Sequence, residues 1–509
     1  MMRVTTEGME HAHGNTLTLR SIGIDTYREN IIYMRADCHI CRSEGFTALT
    51  RLVVANGAKS IIATLNVIHS DLLRHNEAAL SMEAMHRLDV AEGGSITVSH
   101  LDPISSLGLV RAKIYGRELS DADLHTVIAD VTAGRYSNIE LAAFLTGCAG
   151  DHLSEREIIG LTRAMIASGH RLQWGPGPIL DKHCVGGLPG NRTTPIVVSI
   201  IAAAGLTIPK TSSRAITSPA GTADTMETMA PVELSLERMR RVVEKEGGCI
   251  AWGGAVQLSP ADDILISVEK ALDIDSEGQM IASVLSKKVA AGSTHTIIDI
   301  PVGPTAKVRS QEAALALKER MMLTAAAVGL HAEVIITDGG QPVGRGIGPA
   351  LEAMDVLAVL RNGASAAQDL KERALTLAGA LLDLTGKFPP ASGTMKAREI
   401  LESGQAWTKF HAICEAQGGF TEPKAAQHQH DVLADHDGIV RSVDNRRLAR
   451  IAKLAGAPRA ASAGISFHAP IGKQVRKGDL LFTVHAEAHG ELEYARAYMR
   501  QENGTIQYD

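Results

Sequence analysis

Aromatic side chains are scarce in this chain of 509 residues, where Phe, Tyr and Trp make up only 3%. Proteins that bind single strands of nucleic acid stack bases on aromatic rings beside a basic groove. Here 51 Lys and Arg residues stand against 57 Asp and Glu residues, which gives a net charge of −6. The composition therefore excludes nucleic acid as the expected partner.

Long hydrophobic runs are also missing. The longest covers residues 196–206, well short of the roughly 20 apolar residues that span a bilayer. The first residues do not show the basic start and uninterrupted apolar stretch of a signal peptide. We therefore expect a cytoplasmic protein with no membrane partner.

Cysteine is sparse, with six residues in the chain, which is typical of reduced thiols in a cytosolic protein. Cys38 and Cys41 form a C-x-x-C pair, with His39 between them and His11 and His13 upstream. A zinc site needs two more ligands at similar spacing. We expect two buried cysteines, and we predict neither a metal nor an organic cofactor.

What the sequence does contain is a series of regions with different periodicities. Residues 60–68 read as a β-strand, whereas Ser120, Ser137 and Ser154 each precede an amphipathic segment and predict three capped helices. Farther along, apolar β-like runs such as 296–302 and 333–337 alternate with long helical segments such as 311–328, as in an α/β sheet covered by helices.

These patterns predict an α/β multidomain fold. A polar stretch at 418–430, which includes His428 and His430, reads as a solvated loop before the last domain. The predicted domains are a small N-terminal β-rich domain at 1–95, a helical domain at 96–172 on which parts of 190–206 pack, a mixed-sheet α/β phosphate-binding domain at 173–417, and a small C-terminal α+β domain at 425–509.

The strongest candidate site is the segment 181–194, which reads D-K-H-C-V-G-G-L-P-G-N-R-T-T. Glycines let the backbone approach a ligand closely, and consecutive N–H groups can then bind an anion. The apolar helix-like run that follows adds its positive dipole end. A tight surface turn would use the same glycines, but Lys182 and His183 beside them favour a site for phosphate or another small oxyanion.

A second cluster lies at 210–224, where six hydroxyl side chains accompany Arg214. Hydroxyl and backbone N–H groups hold phosphate with neutral donors, and an arginine can add a bidentate grip. The alternative is a Ser/Thr-rich loop that caps the next helix through Thr222 or Asp224. The two interpretations are compatible, because a capped helix start is itself an anion site.

A third cluster lies at 275–288, where Asp275 or Ser276 would cap a helix. Ser283 and Lys287 are four residues apart and share one face of that helix. Such a pair can contact the hydrogen-bonding edge of a ligand. A solvated lysine fits the same spacing equally well.

Taken together, these motifs resemble the thymidine phosphorylase family of pyrimidine nucleoside phosphorylases. The residues that carry the resemblance are, in order, D-K-H-x-x-G-G, S-x-R-x-x-x-x-x-x-G-T-x-D, P-A-D at 260–262 and A-S-x-L-x-K-K. The similarity covers residues from about 119 to the C-terminus. The additional N-terminal domain and the proline in G-G-L-P-G-N resemble the long branch, which includes archaeal AMP phosphorylases and bacterial thymidine phosphorylase-like proteins.

The resemblance implies a pentosyltransferase with inorganic phosphate as co-substrate. Its implied catalytic residues are Asp275, as the proton donor to the leaving base, His183, near the sugar, and Lys182. The residues that would hold the attacking phosphate are Lys182, Gly187, Thr194, Ser212 and Thr222.

The resemblance also implies which residues contact the rest of the substrate. Ser283 and Lys287 match the pair that contacts the base in the pyrimidine enzymes. In the nucleotide-cleaving branch, the contacts would come from Ser213, Arg214, Ala215, Ile216, Thr217, Ser218, Thr222, Ser283 and Lys307.

The implied reaction converts thymidine and phosphate into thymine and 2-deoxyribose 1-phosphate. Phosphate attacks C1′ while the N-glycosidic bond breaks, so the enzyme must position an anion below the sugar and protonate the departing base. The helical domain resembles the dimer surface of the family, so a homodimer or a larger homo-oligomer is expected.

Two departures from the family pattern keep alternatives open. Cys184 stands where the pyrimidine enzymes have serine, and Glu269 stands where they have a base-binding arginine. An ionised glutamate cannot donate to a pyrimidine carbonyl. Together with Asp275 and Lys307, this favours AMP or another nucleoside 5′-monophosphate, with ribose 1,5-bisphosphate as product. A phosphoribosyltransferase and a non-catalytic nucleotide-binding regulator are further alternatives.

Overall fold

The computed structural model describes residues 16–26, 29–215, 218–256, 258–272, 276–501 and 504–509. Its internal contacts define two compact units. One unit comprises residues 1–109 and 130–140, and the other comprises residues 110–129 and 141–509.

The first unit contains a closed six-stranded barrel. Its elements are β1 Thr16–Arg20, β2 Ile31–Arg35, α1 His39–Glu44, β3 Arg51–Asn56, β4 Lys59–Ile68, β5 Glu77–Leu80, α2 Met82–Leu88 and β6 Ser95–His100. The strands follow the order β1-β5-β2-β4-β3-β6, and β6 closes the barrel onto β1. Alternate residues such as Leu52 and Val54 are buried inside it, as a period of two requires. Because β6 belongs to the barrel, this domain extends beyond the predicted boundary at residue 95.

Four helices follow the barrel in sequence: α3 Leu107–Ile114, α4 Asp121–Thr132, α5 Asn138–Cys148 and α6 Glu155–Ala167. The three serine caps are confirmed. The Ser120, Ser137 and Ser154 hydroxyls accept hydrogen bonds from the backbone N–H groups three residues later. Such caps stabilise a helix by about 1 kcal/mol each.

The second unit is built around parallel strands. They are β7 Leu180–Cys184, β8 Ile208–Ser212, β9 Gly248–Trp252, β10 His295–Val302 and β11 His331–Asp338. Strands β11, β10 and β7 form one parallel sheet, and β8 and β9 form a parallel pair. A parallel bridge between Ile179 and Thr207 joins the two sets. The strands predicted at 296–302 and 333–337 are confirmed.

Helices cover these strands. They are α7 Thr194–Ala203, α8 Thr222–Glu227, α9 Leu236–Glu246, α10 Pro260–Leu272, α11 Glu277–Ala290, α12 Gln311–Ala327, α13 Pro349–Leu360, α14 Gln368–Leu384, α15 Gly393–Glu402 and α16 Gln405–Gln417. Helix α12 confirms the helix predicted at 311–328.

Helix α7 corrects one expectation. Parts of 190–206 were expected to pack on the helical domain, but α7 packs against α13, α14, α15 and α16 in the main core. Every residue from Thr194 to Ala202 is buried. A helix that is apolar on all sides belongs inside a core rather than at the surface of a bundle.

The C-terminal region forms two small antiparallel sheets. Its elements are β12 Gly346–Ile347, β13 His428–Leu433, β14 Gly438–Val443, α17 Asn445–Leu454, β15 Gly464–Phe467, β16 Gln474–Val475, β17 Leu480–Ala486, α18 His489–Gln501 and β18 Ile506–Tyr508. One sheet has the order β12-β15-β17-β13, and the other has the order β16-β14-β18. The histidines predicted in a loop, His428 and His430, instead lie in β13, which pairs with β17. Exposed polar residues fit there because β13 is an edge strand.

Within the described ranges, no helix has both the length and the apolar composition needed to cross a membrane.

Candidate active site

The candidate site lies where the parallel strands end. Because β7, β8, β9 and β10 run in the same direction, their carboxyl ends meet along one edge of the strand layer. Open α/β sheets bind ligands at that edge. Segment 181–194 leaves β7 there, and segment 210–224 leaves β8 there.

The loop after β7 needs its glycines. Gly186, Gly187 and Gly190 all have positive φ angles, between 69° and 86°. A Cβ on Gly187 would lie 2.5 Å from the backbone nitrogen and Cβ of Lys307, and one on Gly190 would lie 2.3 Å from the Val343 carbonyl oxygen. Only glycine permits these approaches. The first approach brings the backbone and Cβ of Lys307 next to the loop, and its role toward a nucleotide stays a prediction.

Lys182 is the clearest sign of an anion site. Its side chain is 1% exposed, and it forms no ion pair with any described residue. Burial lowers its pKa, although the negative charge of Asp299 acts in the opposite direction. Burying a cation without a partner is costly, so a ligand anion would stabilise this position.

The start of α7 adds a second anion-binding feature to the loop. The helix begins at Thr194 directly after the loop, so the positive end of its dipole meets the segment. The hydroxyl of Thr193 is buried and has no hydrogen-bond partner among the described residues. Both features suit a bound oxyanion.

Cys184 belongs to a small buried network that sequence reasoning missed. The Asn191 side-chain amide donates to Cys184 Sγ at 3.4 Å and to Asp299 Oδ2 at 3.2 Å, while Thr337 donates to Asp299 Oδ1 at 2.6 Å. Burial raises the pKa of the Cys184 thiol to about 12. The thiol is therefore neutral and acts as a weak acceptor beside the loop.

Arg192 is another residue that the sequence did not single out. Its guanidinium lies 2.6 Å from Glu352 Oε2, and it donates to the Thr222 hydroxyl at 2.7 Å and to the Ala220 carbonyl at 3.0 Å. Burial raises the pKa of Glu352 to about 6. Arg192 thus connects the two candidate phosphate segments, and it fixes the hydroxyl of Thr222.

The structure gives Arg214 a different environment from the one expected. Its guanidinium pairs with Glu227, Asp224 and Glu233 at 2.5, 3.4 and 3.0 Å and stacks over the Trp252 ring. These contacts hold the guanidinium among carboxylates, so a bidentate grip on phosphate has no geometric support. Its role toward a nucleotide stays a prediction.

Other predicted residues of this segment lie close to the loop that precedes α8. Ser212 ends β8, the Ser213 carbonyl accepts from the Ala223 N–H at 3.3 Å, and Ser218 donates to the Ala220 carbonyl. Asp224 caps the turn by accepting from Ala215 N–H at 2.6 Å. Ile216 and Thr217 lie outside the described residues.

The predicted base-contacting pair is brought together with the P-A-D motif. Lys287 Nζ donates to Asp262 Oδ2 at 2.7 Å and to Ser283 Oγ at 3.0 Å. Asp262 is buried and the Lys287 side chain is 25% exposed, so the lysine is held by the ion pair and only partly solvated. This geometry favours the ligand-contacting interpretation over that of a surface lysine. Asp275, the predicted proton donor, lies outside the described residues.

His183 lies near both halves of the site and is neutral. Burial lowers its pKa well below the ordinary value, and the charges of Lys288, Lys210, Lys287 and Lys182 lower it further. At neutral pH the imidazole therefore carries no charge and can both donate and accept a hydrogen bond.

Cys38 and Cys41 are both buried, and the Cys38 thiol caps α1 by accepting from the Cys41 N–H at 3.2 Å. Over the described ranges, no three His, Cys, Asp or Glu side chains are grouped to hold a metal ion. His11 and His13 lie outside those ranges.

Comparison with known proteins defines the class first. Residues 108–169 match the model of the glycosyl transferase family, helical bundle domain, and residues 176–407 match its a/b domain. Residues 439–505 match the pyrimidine nucleoside phosphorylase C-terminal domain. The protein is a pentosyltransferase of the phosphorylase type.

Relatives over nearly the full length define the family. A protein of Polaromonas sp. (strain JS666 / ATCC BAA-500) named "Putative thymidine phosphorylase" is 58% identical, over 96% of both chains. One of Hahella chejuensis (strain KCTC 2396) with the same name is 56% identical, over 98% of this chain and 99% of its own. The chain belongs to the thymidine phosphorylase family.

A solved structure supports the fold alone. Anthranilate phosphoribosyltransferase (TrpD) from Thermus thermophilus superposes with a TM-score of 0.51 at 21% identity, covering 60% of this chain and 98% of its own.

Proposed function

We propose that the protein cleaves thymidine with inorganic phosphate, giving thymine and 2-deoxyribose 1-phosphate. A phosphate oxygen forms a bond to C1′, the N-glycosidic bond breaks, and its electron pair leaves with the base, which takes up a proton. The observation that carries this proposal is the buried Lys182 ammonium, which has no carboxylate partner among the described residues at a glycine loop.

Each half of the site has a distinct task in this proposal. Lys182 and the N–H groups near the start of α7 hold phosphate below the sugar, where positioning lowers the barrier most. Lys287 and Ser283, fixed by Asp262, donate to the base. Neutral His183 hydrogen-bonds near the glycosidic bond, and Asp275 protonates the leaving base. No metal or organic cofactor is needed.

A nucleoside 5′-monophosphate such as AMP is the second candidate substrate, with ribose 1,5-bisphosphate as product. The close approach of the Lys307 backbone and Cβ to Gly187 supports it, because a lysine beside the glycine loop could contact a 5′-phosphate. Glu269 in place of the base-binding arginine of the pyrimidine enzymes supports it as well.

The test incubates the protein with thymidine, uridine or AMP, with and without inorganic phosphate, and quantifies base and sugar phosphate by chromatography. Thymine released only with phosphate, and equally in EDTA, supports the thymidine proposal. Release of adenine and ribose 1,5-bisphosphate from AMP would instead identify the nucleoside 5′-monophosphate as the substrate. A requirement for magnesium and a pyrophosphate-bearing sugar would indicate a phosphoribosyltransferase instead.

Binding of a nucleoside or of AMP without turnover would favour the non-catalytic regulator. The expected homodimer or larger homo-oligomer is tested separately, because sedimentation equilibrium gives the mass of the assembly directly.

A further inference from the structure

A buried ion cluster joins three elements behind the site. Asp181 of β7 lies 3.2 Å from the ammonium of Lys210 on β8 and 2.8 Å from that of Lys288 on α11. Ser293 donates to the same carboxylate at 3.4 Å. Asp181, Lys210 and Lys288 are all between 1% and 4% exposed. The cluster therefore lies within the protein interior and links the two strands to the helix.

Such a cluster is poorly explained as a stabilising device. Burying two ammonium groups and one carboxylate costs desolvation free energy. Apolar side chains of similar volume at the same positions would often give equal or greater stability. Burial lowers the pKa of Lys288 to about 7. Burial acts to raise the pKa of Asp181, but the charges of Lys210 and Lys288 lower it overall. Because this ion cluster costs desolvation free energy and lies next to the candidate active site, we expect it to have a functional role there.

The arrangement of β7 separates the two halves of the site. Alternate residues of a strand face opposite sides, so Asp181 and His183 share one face, while Lys182 lies on the other with Cys184. The cluster is thus on the His183 side. Lys288 also follows Lys287 directly on α11, the helix that carries the base-contacting pair.

We infer that Lys288 is a positioning residue, which through Asp181 fixes the base-contacting pair on α11 at a set distance from the phosphate strand β7. This inference rests on the proposed function. Loss of Lys288 should then displace Ser283 and Lys287 relative to C1′, and it should leave the phosphate loop on the opposite face of β7 unchanged.

The variants Lys288→Met and Lys288→Arg test this, with Lys113→Met as the matched control. Lys113 also forms a buried pair, at 2.5 Å from Glu157 Oε1, but in the helical region. The measurements are steady-state kinetics, and calorimetric titration with phosphate and with the base.

For Lys288→Met we expect kcat/KM to fall about 10²-fold, since a small misplacement of reacting groups has that effect. The Kd for inorganic phosphate should stay within about twofold, whereas base binding weakens. Lys288→Arg should restore most of the activity. Lys113→Met should lower the melting temperature and leave both Kd values and kcat/KM unchanged.

Equal weakening of phosphate and base binding in Lys288→Met would assign Lys288 to the phosphate site and overturn the inference. Kinetics like those of the wild type would also overturn it. Failure of the proposed function is distinguishable, because it appears in the wild-type protein as an absence of base release and base binding.

The pH profile gives a readout that a purely structural role would not change. The charged or titratable groups that interact with Lys288 are Asp181 and His183 on β7 and Lys210 on β8, Cys249 on β9 interacts with Asp181, and Lys287 precedes Lys288 on α11. As pH rises above about 7, Lys288 loses its proton and Asp181 loses one counter-ion, so kcat/KM should decline. Lys288→Arg keeps its charge and should abolish that decline. Identical pH profiles of kcat/KM for the wild type and Lys288→Arg would contradict the inference.

Discussion

Two lysines of the site, Lys182 and Lys287, occupy opposite electrostatic situations. Lys182 is buried at the phosphate loop and has no carboxylate within ion-pair distance among the described residues. Lys287 is fixed by the buried carboxylate of Asp262 at 2.7 Å. Within the part of the chain that the structure describes, Lys182 therefore has no carboxylate at ion-pair distance, although Asp299 is near enough to act on its charge, and Lys287 does have one.

The difference indicates which ligand each half accepts. A buried ammonium without a partner gains most from an anion, and the gain is large where water is excluded. An ammonium whose charge is already balanced by a carboxylate still has N–H donors, so it suits a neutral acceptor such as a base carbonyl. The charge pattern thus supports the proposed orientation of the substrate, with phosphate at β7 and the base at α11.

Among the variants that test this contrast between the two lysines, Lys182→Ala should lower activity most. Loss of a preorganised charged donor typically lowers kcat by about 10²–10³-fold, and the KM for phosphate should rise while base binding persists. Steady-state kinetics with phosphate varied measures both. Lys409→Ala, which removes a partly exposed ion pair with Glu246, is the control. Unchanged phosphate kinetics in Lys182→Ala would remove the basis of the phosphate assignment.

Lys287→Met should have a smaller effect on activity, and it should change the KM for the nucleoside rather than the KM for phosphate. We expect the KM for the nucleoside to rise about tenfold, because the variant loses one charged hydrogen bond to the base. The KM for phosphate should stay constant. Asp262 is then buried without its cation, so the melting temperature should fall. In Lys182→Ala it should rise, because an unpaired buried charge is removed. Melting curves recorded without phosphate measure both changes in melting temperature. Changes of the same sign in Lys287→Met and Lys182→Ala would refute the expected contrast.

Cys184→Ser should have the smallest effect. Serine can accept the same hydrogen bond from Asn191, so kcat/KM should change by less than about threefold, as for the exchange of one neutral hydrogen bond. Since burial raises the pKa of the thiol to about 12, native protein should also react slowly with iodoacetamide at this position, as peptide mass spectrometry can measure. Rapid alkylation of Cys184 would show that the thiol is more acidic than its surroundings imply.

Local signals in the sequence predicted several elements of the fold. Serine caps and apolar periodicity located α4, α5 and α6, and runs of β-branched residues located β4, β10 and β11. The packing of α7 was predicted incorrectly, because an apolar helix fits any core and only the tertiary structure selects one. The strand at His428 was missed because polar residues on an edge strand lack the alternation that marks a buried one.

The site was predicted in part. The loop, Lys182, Ser283 and Lys287 came from sequence motifs, whereas the contact of Asp262 with Lys287 was not predicted. The Arg192–Glu352 pair, separated by 160 positions, and the Asn191–Asp299 contact, separated by 108, had no local signal. Long-range partners of this kind depend on the topology, which a single sequence does not reveal.

Calorimetric titration of inorganic phosphate into the wild-type protein and into Lys182→Met tests the central claim most directly. The wild type should bind phosphate at one site per chain, and the variant should bind it at least about 10²-fold more weakly, as expected when a buried charge-assisted contact is lost. Equal phosphate affinity in the two proteins would contradict the assignment of the glycine loop as the seat of the attacking phosphate.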